Sequence, residues 1–89
     1  MEAFILLQVQ VGTDGRVARK IADLDGVSSV DIVTGPHDLV VRAEADTIHE
    51  LGKLVLRPIQ EIEGVTRTLT CPIMHRWTWL ESEGDEPPA

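Results

Sequence analysis

Hydrophobic and polar residues follow one another along the chain in segments whose period switches between strand-like and helix-like. Residues 2–11, EAFILLQVQV, begin as a continuous apolar run and end in alternation. This pattern is typical of a central strand that is buried on both faces at its start. After GTDG breaks the run, Val17, Ile21 and Leu24 recur at helical spacing. The pattern predicts a first strand and a first helix that ends near Gly26.

The next segment has the pattern of a β-hairpin. Two runs rich in β-branched and apolar residues, VSSVDIV and LVVRAEA, flank the turn sequence TGPHD at residues 34–38. Two strands joined by so short a turn pair antiparallel. We therefore predict that the second and third strands form a hairpin, with the third strand presenting one buried face.

A second helical pattern follows the hairpin. Thr47 and Glu50 have the spacing of a capping box at a helix start. Apolar residues then recur at helical spacing: Ile48, Leu51, Val55, Ile59 and Ile62. Pro58 lies inside this pattern and removes one backbone hydrogen bond. We expect a kink there, or two consecutive short helices.

The sequence VTRTLTCPIMH, residues 65–75, has the alternation of a fourth strand. One face is predicted to carry Thr66, Thr68 and Thr70. The other face is predicted to carry Val65, Arg67, Leu69 and Cys71. Pro72 favours an edge position or a bulge. The acidic segment 77–89 is a C-terminal tail that we expect to be partly disordered.

The order strand, helix, strand, strand, helix, strand points to one fold class. Both helices cross between strands, so both should pack on one face of a four-stranded antiparallel sheet. We predict an α+β, ferredoxin-like βαββαβ domain over residues 1–76. The opposite sheet face would carry apolar residues without cover. A second copy of the chain is the simplest partner for it, which gives a dimeric α/β sandwich.

Composition and charge argue against several classes of function. The 89 residues carry a net charge of −7 and no cluster of basic side chains, so we expect no direct binding to nucleic acid. The single cysteine, Cys71, permits no internal disulfide, and we expect it to be a small buried residue. We expect no metal and no cofactor. No run reaches the ~20 apolar residues of a membrane span, so we expect a cytoplasmic protein without a membrane partner.

The turn TGPHD carries more chemistry than a hairpin needs. Backbone N–H groups in a tight turn around Gly35 could bind a carboxylate, and Asp38 could accept from an ammonium group. Alternatively, Asp38 bonds backbone N–H groups of its own turn, and His37 is a solvent-exposed turn residue. The residues by themselves leave both interpretations open.

These segments resemble one known family. IADLDGVSSVDIVTGPHDLVVRAEA and the later IEGVTRTLT have the order and spacing of the effector-binding (RAM) domain of the Lrp/AsnC feast/famine regulators, over most of residues 2–75. The resemblance implies a non-enzymatic module that binds an amino acid or a similar small effector. It also implies a homodimer formed by sheet-to-sheet packing, often assembled into an octamer of four dimers, with the effector bound between dimers.

In that family a helix-turn-helix DNA-binding domain normally precedes this region. The chain begins with Met shortly before the first strand, so the resemblance is to a stand-alone form of the effector domain. Such a form is expected to modulate transcription through hetero-assembly with full-length Lrp/AsnC regulators.

The resemblance to this family implies that the ligand-binding residues are Gly35, Pro36, His37, Asp38, Thr66, Thr68 and Thr70. Gly35 would offer N–H groups to a carboxylate, while Asp38 would face an ammonium group or hold the loop. Three alternatives are an ACT-like module that binds its effector at GTDG, a small enzyme that uses His37 and Asp38, and a purely structural oligomerisation module. Adjacent turn residues point in different directions and make a poor acid–base pair.

Overall fold

The computed structural model describes residues 1–77, in which helices cover one face of a four-stranded antiparallel sheet. The elements are β1 (Glu2–Val9), α1 (Asp14–Ala22), β2 (Val27–Ile32), β3 (Leu39–Glu44), α2 (Ile48–Leu51), a π-helical turn (Gly52–Leu56), α3 (Arg57–Gln60) and β4 (Val65–Pro72). The strand order is β2-β3-β1-β4. This arrangement confirms the predicted ferredoxin-like fold. The prediction for the tail concerns mainly residues 78–89, which lie outside the described part of the chain.

The core lies between the sheet and the helices and consists of apolar side chains. The sheet contributes Ala3, Ile5, Leu7, Leu39, Val41 and Ala43, and the helices contribute Val17, Ile21, Leu51, Val55 and Ile59. Alternate residues of β1 and β3 reach this core because successive side chains of a strand point to opposite faces. The predicted alternation of the third strand is confirmed.

The prediction that β1 begins buried on both faces is wrong for the single chain. Ala3, Ile5 and Leu7 are fully buried against the helices, but Phe4 and Leu6 on the other face are only half-buried. A continuous apolar run does not reveal whether its second face is covered by the same chain or by a partner.

Pro58 does not break the second helical region. The backbone keeps helical φ and ψ angles at Leu51, Leu56 and Arg57. The N–H of Arg57 donates to the carbonyl of Gly52, five residues back, which is the wider hydrogen-bond pattern of a π-helix. The segments α2 and α3 are therefore parts of one continuous helical region, and the irregularity is a π-helical turn that ends at Leu56, before the proline, not a break at Pro58.

A β-bulge changes the expected faces of β4. Gln8 pairs with Arg67 and Val9 with Val65, so Thr66 is the extra residue between them. Because the register shifts there, Val65 packs against the core. The prediction that Val65 shares a face with Arg67 is therefore wrong.

Gly26, in the turn between α1 and β2, is expected to be required for stability. Its φ is +90°, and an added Cβ would lie 2.9 Å from the carbonyl oxygen of Glu44. We expect Gly26→Ala to lower the free energy of unfolding by about 1–3 kcal/mol in urea denaturation. Gly15→Ala is the control, because Gly15 lies in α1 with nothing within 4 Å. Equal effects of the two substitutions would contradict the steric argument.

Candidate functional site

The loop between β2 and β3, residues 33–38, is fixed to the end of β1 by Asp38. The backbone N–H of Asp38 donates to the carbonyl of Leu7 at 2.8 Å. Its carboxylate oxygen Oδ2 accepts from the backbone N–H of Val9 at 2.9 Å. The carboxylate therefore bonds a backbone group of β1 and not one of its own turn, and it continues the β3–β1 ladder beyond Leu39.

Gln8 is a second anchor for this loop, a role that the alternating pattern at the end of β1 does not predict. Its side-chain Nε2 donates to the carbonyl oxygen of Pro36 at 2.8 Å. On the other side of β1, the hydroxyl of Thr66 donates to the carbonyl of Gln8 at 3.1 Å. The end of β1 thus joins the loop to the start of β4. The polar residues that end the first apolar run were the only signal of this role.

Five of the seven predicted site residues fall into two groups. Pro36, Asp38 and Thr66 gather around the end of β1 through the bonds just described. Thr68 and Thr70 pair with Leu7 and Ile5, whose side chains face the helices. The hydroxyl of Thr68 accepts from Gln60 Nε2 of α3 at 3.3 Å. These two threonines therefore lie on the helix side of β4.

A small cleft lies at the start of β4, between the bulge and α3. Its volume is about 180 Å³, and its lining consists of Gln60, Val65, Thr66, Arg67 and Thr68. It brings an amide, two hydroxyls and a guanidinium side chain to one opening. Such groups can bind a small polar molecule through a carboxylate and hydrogen bonds.

The tip of the loop has open space at Gly35. Gly35 has a φ of +135°, and nothing lies within 4 Å of the position of an added Cβ. Its peptide groups are therefore open to an approaching molecule. His37 is half-buried, which does not agree with the alternative in which it is a solvent-exposed turn residue.

The sheet face opposite the helices has no cover within residues 1–77. Phe4, Leu6 and Val40 are half-buried there, Leu69 is 50% exposed, and the guanidinium of Arg42 lies 5.1 Å from the centre of the Phe4 ring. The prediction of an uncovered apolar face is confirmed.

Cys71 lies on this same face, where it pairs with Phe4 across the β1–β4 ladder. Its side chain is exposed. The expectation of a buried cysteine is wrong, because the face to which β4 directs this residue is not covered by the helices.

Residues 1–77 contain neither a metal-ligand cluster nor a helix fit to span a membrane. No group of three His, Cys, Asp or Glu side chains within residues 1–77 is placed to hold a metal ion. No helix in this part of the chain has both the length and the apolar content that crossing a membrane would require.

Comparison with known proteins decides the family. The family model of the Lrp/AsnC ligand binding domain matches residues 2–78. The chain belongs to this family. The uncharacterized HTH-type transcriptional regulator PF0250 of Pyrococcus furiosus is 37% identical over 71 residues, which cover 76% of this chain and 47% of that protein. The chain thus spans about half the length of the curated relatives it matches.

Solved structures agree with this family. TTHA0845 from Thermus thermophilus has a TM-score of 0.81 and 32% sequence identity, covering 86% of this chain and 96% of that chain. E. coli AsnC shares the fold with a TM-score of 0.78 at 20% identity, covering 84% of this chain and 51% of that one.

Lrp/AsnC proteins are non-enzymatic regulators that bind small effectors and oligomerise. The prediction that the chain is not an enzyme is confirmed by this membership.

Loss of the Asp38 carboxylate is expected to loosen the loop. We expect Asp38→Ala to lower the free energy of unfolding by about 1.5–3 kcal/mol, because the N–H of Val9 loses a charged acceptor. Asp38→Asn should cost less, since an amide oxygen still accepts. Asp25→Ala removes an exposed carboxylate and should change stability by less than about 0.5 kcal/mol in the same urea titration. A similar cost for the Asp38 and Asp25 substitutions would refute the anchoring role.

Proposed function

We propose that this chain is an effector-binding, oligomer-forming module that responds to an amino acid or a similar small zwitterion. The observation that carries the proposal is the loop 33–38, held rigidly to the end of β1 while its tip stays open. A zwitterion needs N–H donors for its carboxylate and an acceptor for its ammonium group. Peptide groups at Gly35 offer the first, and the Asp38 carboxylate offers the second.

Asp38 can serve both the loop and a ligand. Within residues 1–77 this carboxylate accepts a hydrogen bond from the backbone N–H of Val9 through Oδ2. Its other oxygen, Oδ1, is left for a second donor. The proposed ligand-binding residues are those of the loop and of β4: Gly35, Pro36, His37, Asp38, Thr66, Thr68 and Thr70. The structure supports unequal roles for them, because Thr66 is bonded to the same strand end as the loop, whereas Thr68 and Thr70 lie on the helix side.

A second copy is needed to complete such a site. The cleft at β4 has a volume of about 180 Å³ and is open, whereas pockets that enclose small molecules usually have ~300–1,000 Å³ and bury most of the ligand. Neither the cleft nor the loop tip encloses a ligand in a single chain. This favours binding between subunits, which is what an octamer of four dimers would provide.

The uncovered sheet face supports the dimer within this assembly. Phe4, Leu6, Val40 and Leu69 form an apolar patch across three neighbouring strands. A small domain with such a patch usually buries it against another surface, and a second copy offers an identical one. The same face would also permit hetero-assembly with longer Lrp/AsnC regulators, through which the chain would modulate transcription.

The dimer interface is tested by Leu69→Lys. We expect this change to reduce the mass in solution by at least half in light scattering, since it adds a cation to the apolar patch beside Arg67. Val11→Lys is the matched control, because Val11 is an exposed apolar residue outside the sheet. Circular dichroism checks that both variants fold. An unchanged mass for a folded Leu69→Lys variant would exclude this face as the interface.

The effector site is tested by calorimetry with the common amino acids. We expect at least one to bind the assembled protein, and Asp38→Asn to weaken its binding by about tenfold through loss of the charged partner. Asp25→Asn, the control, should bind normally. Failure of every amino acid to bind an intact oligomer at millimolar concentration would favour a purely structural role.

A further inference from the structure

The second helical region carries an open groove along its flank, which we call the α2–α3 groove. Its volume is about 630 Å³, and its lining consists of Ile48, His49, Gly52, Lys53, Leu56, Arg57 and Gln60. These residues recur at intervals of three and four and so follow one side of the helix. Nothing lies within 4 Å of the position of a Cβ on Gly52, which leaves a depression between Ile48 and Leu56.

The groove combines apolar surface with positive charge. Ile48 is 52% exposed at its beginning. Lys53 and Arg57 are exposed further along, and neither forms an ion pair with another residue in the range 1–77. No carboxylate of residues 1–77 belongs to the lining. A segment that fits this surface would be extended and would carry apolar residues followed by acidic ones.

The chain leaves β4 close to the beginning of this groove. The N–H of Ile73 donates to the carbonyl of Glu2 at 2.8 Å, and the N–H of Ala45 donates to the carbonyl of Met1 at 2.9 Å. The end of β4 and the approach to α2 therefore flank the start of β1, about 10 Å apart, or two strand spacings. The Gln60–Thr68 bond places the far end of the groove above β4. The groove thus lies on the β4 side of the helix.

We propose that residues 79–86 of the same chain bind in the α2–α3 groove. This segment reads WLESEGDE, with two apolar residues followed by four acids and no base. The apolar residues precede the charged residues in this segment, as they do along the groove, where Ile48 precedes Lys53 and Arg57. Trp79 and Leu80 would cover Ile48, and the carboxylates would pair with the two cations.

Chain length permits this contact. Arg76 is paired with Glu2 at the start of β1, so the free length is counted from residue 78. Residues 78–86 reach up to about 30 Å when extended, whereas the helical region from Ile48 to Gln60 is only about 20 Å long. The contact requires neither an effector nor an oligomer, and it is therefore independent of the proposed function.

Zero-length carbodiimide cross-linking of the full-length protein tests the contact, because the chain has only two lysines, Lys20 and Lys53. A carbodiimide joins a carboxylate to an amine only when the two are in contact. We expect cross-linked peptides that join Lys53 to Glu81, Glu83, Asp85 or Glu86. Their yield should exceed the yield of peptides that join Lys20 to the same four residues by at least about threefold. High salt should reduce this preference, since exposed ion pairs are screened.

Charge reversal in the groove provides the matched comparison. Arg57→Glu retains the reactive Lys53 but repels the acidic segment, and we expect at least a threefold loss of the Lys53 products. Arg19→Glu makes the same change on exposed α1 and should leave them unchanged. Circular dichroism shows whether both variants fold.

Three outcomes would overturn the proposal. The first is equal cross-linking to Lys20 and Lys53. The second is persistence of the Lys53 products in a folded Arg57→Glu variant. The third comes from a sample in which unlabelled and heavy-isotope chains are refolded together. Products that join a light peptide to a heavy one would show that the segment belongs to a second copy.

Discussion

The end of β1 is the point on which the candidate site depends. Two segments that are distant in sequence bond to adjacent residues there, Asp38 to the N–H of Val9 and Thr66 to the carbonyl of Gln8. The Thr66 bond pairs a carbonyl at the bulge, and the Asp38 bond pairs an N–H at the strand end. Both backbone groups lie where the regular strand pairing stops and need another partner. The loop and the start of β4 therefore share one rigid support, and neither can move without breaking a hydrogen bond at β1.

The two faces of the sheet explain why assembly and binding belong together in this small domain. The helices cover one face with a wholly apolar core, whereas nothing within residues 1–77 covers the second. If a partner covers it, the folded state gains stability by mass action. A ligand that binds only between subunits would add to the same equilibrium, because it binds the assembled state and not the separate chains.

Periodicity was sufficient to predict the element order, the hairpin and the core positions of β3, because these depend on local patterns of apolar residues. Alternation also separated Thr68 and Thr70 from Leu69 and Cys71, but the face of Val65 was not predictable in this way. It depends on a bulge opposite β1, and the position of that bulge is set by pairing between residues about sixty positions apart, not by the threonine pattern itself. The exposure of Cys71 follows from the same β1–β4 pairing. The anchoring role of Gln8 follows from a contact on the other side of β1, with Pro36. The family resemblance supplied the candidate site, but only the folded structure separates Thr66 from Thr68 and Thr70.

Gln60 gives the two proposed binding surfaces a physical connection. It lines both the cleft at β4 and the α2–α3 groove, and its amide donates to Thr68 between them. Two ligands that compete for the position of one side chain influence each other, and that influence is reciprocal in free energy. If the acidic segment moves Gln60 when it binds, it changes the cleft, and an effector in the cleft must change the affinity of the groove for the segment by the same factor. The π-helical turn widens the helix directly before α3, so the helix that carries Gln60 is also the one whose geometry departs most from a regular α-helix.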